Sequence, residues 1–60
     1  MTNFTNYLLI NKNGELKQII NTQDINFLKY YNEAVRRGWM IVKGEQNEGY
    51  CDLIARMGLW

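Results

Sequence analysis

The sequence predicts a small two-layer α+β domain in which two β-hairpins flank one helix, in the order ββαββ. Three observations predict this fold: an Asn-Gly pair between two apolar runs, a helical apolar period that ends at a glycine, and a short β-branched run after that glycine. With 60 residues the chain is expected to form a single domain, residues 1–60. A domain of this size buries only about 60% of the surface that its unfolded chain exposes, so its stability is marginal.

The first hairpin has the strongest local signal. Asn13-Gly14 separates two runs of large apolar residues, and both a primed turn and a glycine bulge need positive φ at such positions. The sequence therefore predicts strands at residues 5–11 and 15–21. In the glycine-bulge register, Ile10 pairs with Leu16 and Leu8 with Gln18, whereas a two-residue turn shifts this pairing by one.

A helix is predicted over residues 23–37. Thr22 is a suitable N-cap, Asp24 places a carboxylate in the first turn, and Gly38 is a typical stop after two arginines. The stripe expected to face the sheet contains Phe27, Leu28, Tyr31, Ala34 and Val35, and the opposite polar side contains Asn26, Lys29, Glu33, Arg36 and Arg37. Because Glu33 lies within four residues of three cations, we expect it to neutralise part of this polar side.

The segment after Gly38 predicts the second hairpin. Residues 39–43 are apolar and partly β-branched, and residues 44–49 form a polar loop bracketed by glycines. Residues 50–57 alternate in the manner of a strand, although the run from Leu53 to Met57 would also accept a helical turn. The strand is the preferred prediction, and it places Cys51 among buried, unreactive apolar neighbours.

Large apolar residues occupy both faces of the first hairpin. One face is predicted to hold Phe4, Leu8, Ile10, Leu16 and Ile20, and the other to hold Tyr7, Leu9 and Ile19. One helix can cover only one of these faces. The other is then exposed, or covered by the C-terminal residues Leu59 and Trp60, or covered by another protein, and a second copy is the simplest such partner. We expect a homodimer, with contacts through Tyr7, Leu9, Ile19, Trp39 and Trp60.

The composition argues against catalysis. The chain has no His and only one Cys, and the acidic residues Glu45, Glu48 and Asp52 belong to a solvated loop or its border. No glycine pattern that cradles a phosphate is present, and no metal or other cofactor is expected. We therefore expect no enzyme. A lone cysteine suits a reducing compartment, and no run approaches the about 20 apolar residues that span a bilayer, so a cytoplasmic location without a membrane partner is expected.

A nucleic-acid-binding surface is the alternative function. It would use the basic residues Lys29, Arg36, Arg37, Lys43 and Arg56. Trp39 and Tyr50 could add base stacking. The net charge of only +1 and the acidic Glu33 within the same helix weaken this alternative.

The Asn-, Ile- and Lys-rich composition of so short a chain resembles that of small accessory proteins of AT-rich bacteria or their phages. Such proteins commonly act by occupying the surface of a larger protein. This resemblance and the aromatic content of 13% predict a small interaction module that inhibits or regulates a larger target and also associates with itself.

Overall fold

The computed structural model describes residues 3–59, which fold as a sheet with one helix on each face. The elements are β1 (Asn6–Ile10), β2 (Leu16–Asn21), α1 (Phe27–Arg37), β3 (Met40–Lys43) and α2 (Tyr50–Met57). The three strands form an antiparallel sheet in the order β2-β1-β3. The predicted α+β class is confirmed. The predicted ββαββ order and the two-layer arrangement are wrong, because the last element is a helix that adds a third layer.

The hairpin of β1 and β2 contains a bulge that changes which side chains share a face. Ile10 pairs with Leu16 as predicted, but Leu8 pairs with Ile19 rather than with Gln18, because the register shifts between Leu9 and Ile10. The additional residue in β2 interrupts the alternation of the strand, so that Leu16 and Ile19, three residues apart, pack on the same face. The face assignments predicted for Ile19 and Ile20 are therefore exchanged.

The first face of the sheet packs against α1. Its buried centre consists of Leu9, Ile20 and Ala34, and the partly buried residues around it are Tyr7, Phe27, Tyr30, Tyr31, Trp39 and Ile41. Three aromatic rings join sheet and helix: the centroid of Tyr7 lies 5.2 Å from that of Phe27 and 6.0 Å from that of Tyr31. Edge-to-face and tilted contacts of this kind stabilise a core beyond the area that they bury.

The second face of the sheet packs against α2. Leu8, Ile10 and Leu53 form its buried centre, and the residues that pack around them are Leu16, Ile19, Val42, Ile54 and Leu59. The strand predicted for residues 50–57 is thus wrong. A helix forms because Tyr50, Leu53, Ile54 and Met57 recur at helical spacing, and Gly58 ends it in the left-handed region with φ of 72°.

α1 begins four residues later than predicted, because the two residues expected to start it are engaged elsewhere. The Thr22 hydroxyl accepts a hydrogen bond from the Thr5 N–H at 3.0 Å, which joins the ends of β1 and β2. The Asp24 carboxylate accepts one from the Asn26 N–H at 2.8 Å, within a turn that precedes the helix. Gly38 ends α1 as predicted, with φ of 74° and its N–H bonded to the carbonyl of Val35.

A buried amide links the sheet to the loop that leads into α2. The side chain of Asn6 donates to the carbonyl of Glu48 at 2.8 Å and accepts from the Asn21 amide at 2.9 Å. Its backbone carbonyl accepts from the Gly44 N–H at 2.9 Å. Asn6 is 5% exposed, and within residues 3–59 no buried side-chain nitrogen or oxygen lacks a partner. These bonds position the start of α2 over the second face of the sheet.

An ion pair closes the same loop onto α2. The Arg56 guanidinium donates two hydrogen bonds to Glu48, at 3.0 Å and 3.1 Å, and the Glu45 N–H donates a third at 2.9 Å. The bond from Arg56 is the main reason that the pKa of Glu48 lies below its ordinary value, and the bond from Glu45 adds to it. The same pair raises the pKa of Arg56.

The lowered pKa of Glu48 predicts an acid-sensitive contribution to stability. The folded state binds the proton less tightly than the unfolded state, so this stabilisation is complete above the ordinary glutamate pKa and is lost as the pH falls through the lowered folded value. Between about pH 7 and about pH 3, the thermal midpoint of Glu48→Gln should fall less than that of the unmodified protein, as measured by circular dichroism. Some pH dependence should remain, because a hydrogen bond from Asn11 also lowers the pKa of Glu15.

Glu45→Gln is the matched control for this experiment. The Glu45 carboxylate makes no hydrogen bond to any residue in the described range 3–59 and lies three residues from Glu48. The thermal midpoint of Glu45→Gln should vary with pH as that of the unmodified protein does. If the thermal midpoint changes equally with pH in the unmodified protein, Glu48→Gln and Glu45→Gln, then Glu48 contributes no pH-dependent stability.

Candidate protein interface

The two most exposed large apolar side chains in residues 3–59 lie on α1 and the turn before it, and others are exposed at Met40 on β3 and at Tyr50 and Met57 on α2. Ile25 is 97% exposed, Leu28 69% and Val35 57%. Leu28 and Val35 are exposed because the apolar residues of α1 occupy a wider arc of the helix than the sheet can cover. Phe27, Tyr30, Tyr31 and Ala34 face the sheet, so the neighbouring Leu28 and Val35 are left outside.

This placement corrects the predicted orientation of α1. Leu28 and Val35 were expected to face the sheet, and Tyr30 was not assigned to that stripe. In the structure, Tyr30 packs into the core beside Tyr31, which rotates the buried arc away from Leu28 and Val35. The sequence carried one signal of this outcome, since the apolar residues from Phe27 to Val35 span about 160° of the helix at about 100° per residue.

The exposed apolar residues lie beside exposed cations. The outer stripe is the set Ile25, Leu28, Lys29, Asn32, Val35 and Arg36, all of which are exposed. On the helical wheel its members within α1 cover the arc from Val35 to Lys29, about 120° wide. The stripe contains two positive charges and no carboxylate.

The cations of the outer stripe have no ionic partner within residues 3–59. The ion pair that these residues form joins Glu48 to Arg56 on the other side of the sheet. Glu33 lies one turn after Lys29 but forms no ion pair with it. The expected neutralisation of the polar side of α1 is therefore not observed as an ion pair. Lys29 and Arg36 remain available to carboxylates of a partner.

The other predicted basic residues do not join this stripe. The Arg37 guanidinium lies over the Trp39 ring, 5.1 Å from its centroid. Arg56 is held by Glu48 on α2, and Lys43 is at the end of β3 beside a different part of the surface. Of the five residues predicted as nucleic-acid contacts, only Lys29 and Arg36 share one exposed surface.

The predicted interface residues are divided among different places. Leu9 is only 1% exposed and leaves no surface for a partner. Tyr7 and Trp39 are half-buried beneath or beside α1, whereas Ile19 is half-buried on the opposite face, against α2. Trp60 lies outside the described residues. The sequence therefore missed the exposed residues Ile25, Leu28 and Val35 because it assigned the apolar surplus to the sheet rather than to the helix.

An open cavity of about 350 Å³ lies where the three strands end near the polar loop. It is lined by Asn3, Phe4, Thr5, Thr22, Lys43, Gly44, Glu45 and Gln46. The backbone N–H and carbonyl groups of Phe4 and Thr5, and the N–H and hydroxyl of Thr22, are already used by hydrogen bonds within the protein.

Three observations concern the cysteine, a metal site and a membrane-spanning helix. Cys51 is exposed in the first turn of α2, not buried as predicted, because the segment is a helix. Within residues 3–59, no three acidic, Cys or His side chains gather as candidate metal ligands. No helix in that range is long and apolar enough to cross a membrane.

Comparisons with protein-family models, with curated proteins and with solved structures found no match to this chain. Within the described residues, the outer stripe holds the exposed large apolar side chains of α1 and of the turn before it.

Proposed function

We propose that this chain is a small protein-interaction module without catalytic activity of its own, which regulates a larger protein by occupying part of its surface. The outer stripe is the binding surface. The observation that supports this proposal is the exposure of Ile25, Leu28 and Val35, since apolar residues grouped along one side of a helix indicate a protein-binding site more often than isolated ones do.

A rigid support suits the outer stripe to binding. The opposite side of α1 is anchored in the core by Phe27, Tyr31 and Ala34, so the exposed side chains are presented from a fixed helix. Binding to such a surface loses less conformational entropy than binding to a flexible loop. A module with one such surface can inhibit a larger protein by covering a site on it.

Self-association has less support than the sequence suggested. The expectation of a homodimer depended on a sheet face without a cover. Leu53, Ile54 and Leu59 cover that face within the same chain, so a second copy is not needed there. Sedimentation equilibrium at low- to mid-micromolar concentration would measure whether any dimer forms by another surface.

The nucleic-acid alternative also has less support. Of its five basic residues, Arg56 is paired with Glu48, and Arg37 lies over the Trp39 ring. Lys43 lies on a different part of the surface. Two cations make few phosphate contacts, and the apolar residues beside them have no complement in a phosphate backbone.

Capture of binding proteins from a lysate of the producing cells tests the proposal. The chain is immobilised through Cys51, which is exposed on α2 and thus on the face opposite α1. We expect a protein that is retained by the unmodified chain and lost by the triple variant Ile25→Gln, Leu28→Gln, Val35→Gln. The captured protein, once purified, should bind the triple variant at least about tenfold more weakly.

Exposed apolar residues on α2 provide the matched control. The double variant Tyr50→Gln, Met57→Gln removes apolar surface from α2 and leaves the outer stripe intact. It should retain the captured protein with unchanged affinity. Loss of binding in this control, with retention by the triple variant, would contradict the assignment of the outer stripe.

A further inference from the structure

We propose that the partner of the outer stripe is an acidic amphipathic helix of another protein, with carboxylates beside its apolar residues. This inference rests on the proposed function and names the chemistry of the same site. Three observations carry it: the unpaired cations of the stripe, the spacing of its apolar residues, and the charge conflict that a second copy would create.

The cations supply the first argument. Lys29 and Arg36 are exposed, lie seven residues apart on the same side of α1, and form no ion pair within residues 3–59. Arg56 has Glu48 as its partner and Arg37 lies over the Trp39 ring, whereas Lys12, Lys17 and Lys43, which also form no ion pair within residues 3–59, lie outside α1. Complementary charge on a partner orients it and accelerates association, so carboxylates are the groups that this surface selects.

The apolar residues supply the second argument. Leu28 and Val35 are two helical turns apart, about 10 Å along the axis at 1.5 Å per residue, and Ile25 precedes Leu28 by three residues. Leu28 and Val35 match the i, i+7 contacts of a partner helix packed alongside, and Ile25 extends the exposed apolar surface into the turn before α1. The cations border these apolar residues on one side, so the carboxylates of the partner should border its own apolar residues.

A second copy of the chain fits this surface poorly. A two-fold interface between two α1 helices uses the same patch on both copies. It would bring the basic residues Lys29 and Arg36 of both copies together. Glu33, the carboxylate nearest to them on α1, is only partly exposed and lies on the far side of Lys29 from the apolar residues. Charge complementarity therefore favours a different, acidic chain.

The test is a selection from a phage-displayed library of helical peptides with randomised surface positions, using the full chain immobilised through Cys51. We expect the enriched peptides to carry net negative charge and apolar residues at helical spacing. The affinity of the enriched peptides should fall at least about tenfold for Leu28→Gln. It should also fall at least about tenfold for the separate double variant Lys29→Glu, Arg36→Glu. It should stay unchanged for Tyr50→Gln, Met57→Gln.

The outcomes separate this inference from the proposed function. Neutral or basic peptides whose binding still requires Leu28 would overturn the acidic class and leave the outer stripe as a protein-binding surface. Peptides that bind Leu28→Gln as tightly as the unmodified chain, or the absence of any enriched peptide, would overturn both proposals. Far-ultraviolet circular dichroism of each variant verifies that α1 remains folded.

Two further probes complete the test. Binding of labelled single-stranded or duplex DNA that is lost in Lys29→Glu, Arg36→Glu but retained in Leu28→Gln would overturn the inference in favour of a nucleic acid. A doubling of molar mass that Leu28→Gln abolishes would overturn it in favour of a second copy. A monomer that binds no DNA and selects acidic peptides supports it.

Discussion

Replacement of Leu53 by alanine is expected to lower the free energy of unfolding by about 2–4 kcal/mol. Leu53 is fully buried between α2 and β1, where it packs with Leu8 and Ile10. Truncation removes contacts on the only helix that covers this face in the described part of the chain. A domain of this length has a total stability of roughly 3–9 kcal/mol, so the variant should be partly or largely unfolded at room temperature. Urea unfolding followed by circular dichroism measures the change.

The same substitution at an exposed leucine is the control. Leu28 is 69% exposed on the outer stripe, and Leu28→Ala should change the free energy of unfolding by no more than about 0.5 kcal/mol. The opposite result, a stable Leu53→Ala and a destabilised Leu28→Ala, would mean that α2 does not cover the sheet and that the outer stripe belongs to the core.

Gly44→Ala is expected to destabilise the protein by about 1–3 kcal/mol through crowding. A Cβ atom at this position would lie 2.9 Å from the carbonyl oxygen of Asn6, 2.9 Å from Cδ2 of Leu53 and 3.2 Å from Oε1 of Glu48. The oxygen of Asn6 belongs to the backbone of the central strand and cannot move away without disturbing the sheet. The glycine is therefore required by close packing between β1 and the loop before α2.

Gly49→Ala provides the comparison, because the nearest atom to its added Cβ, Oδ2 of Asp52, is 3.8 Å away. Gly49 has φ of −66°, which alanine adopts without strain. Its free energy of unfolding should stay within about 1 kcal/mol of the unmodified value. Similar destabilisation of both variants would show that crowding at Gly44 is not the cause.

The local elements of the first two-thirds of the chain could be predicted from sequence. Asn13-Gly14 indicated the β1–β2 hairpin, and Gly38 marked the end of α1 through its left-handed conformation. These predictions succeeded because each depends on backbone preferences within a few residues. The start of α1 was predicted too early, since Thr22 and Asp24 form other hydrogen bonds in the folded chain.

The predictions of α2 and of the hairpin register failed because both features depend on contacts between distant residues. The segment from Tyr50 to Met57 fits both an alternating strand and a helical stripe, and its docking onto Leu8 and Ile10 selects the helix. The bulge in the hairpin depends on the need to place both Leu16 and Ile19 beneath α2. Neither choice can be made from a local pattern.

The sequence by itself determined that the chain carries more apolar surface than a sheet with one helix can bury, and that the β1–β2 turn and the end of α1 occur at Gly14 and Gly38. Only the tertiary structure decided where the surplus lies. α2 covers the second face of the sheet, and the aromatic packing of Tyr30 and Tyr31 rotates Leu28 and Val35 into solvent. The physical reason is that burial is shared among all elements, so the orientation of each helix depends on side chains far away in the chain.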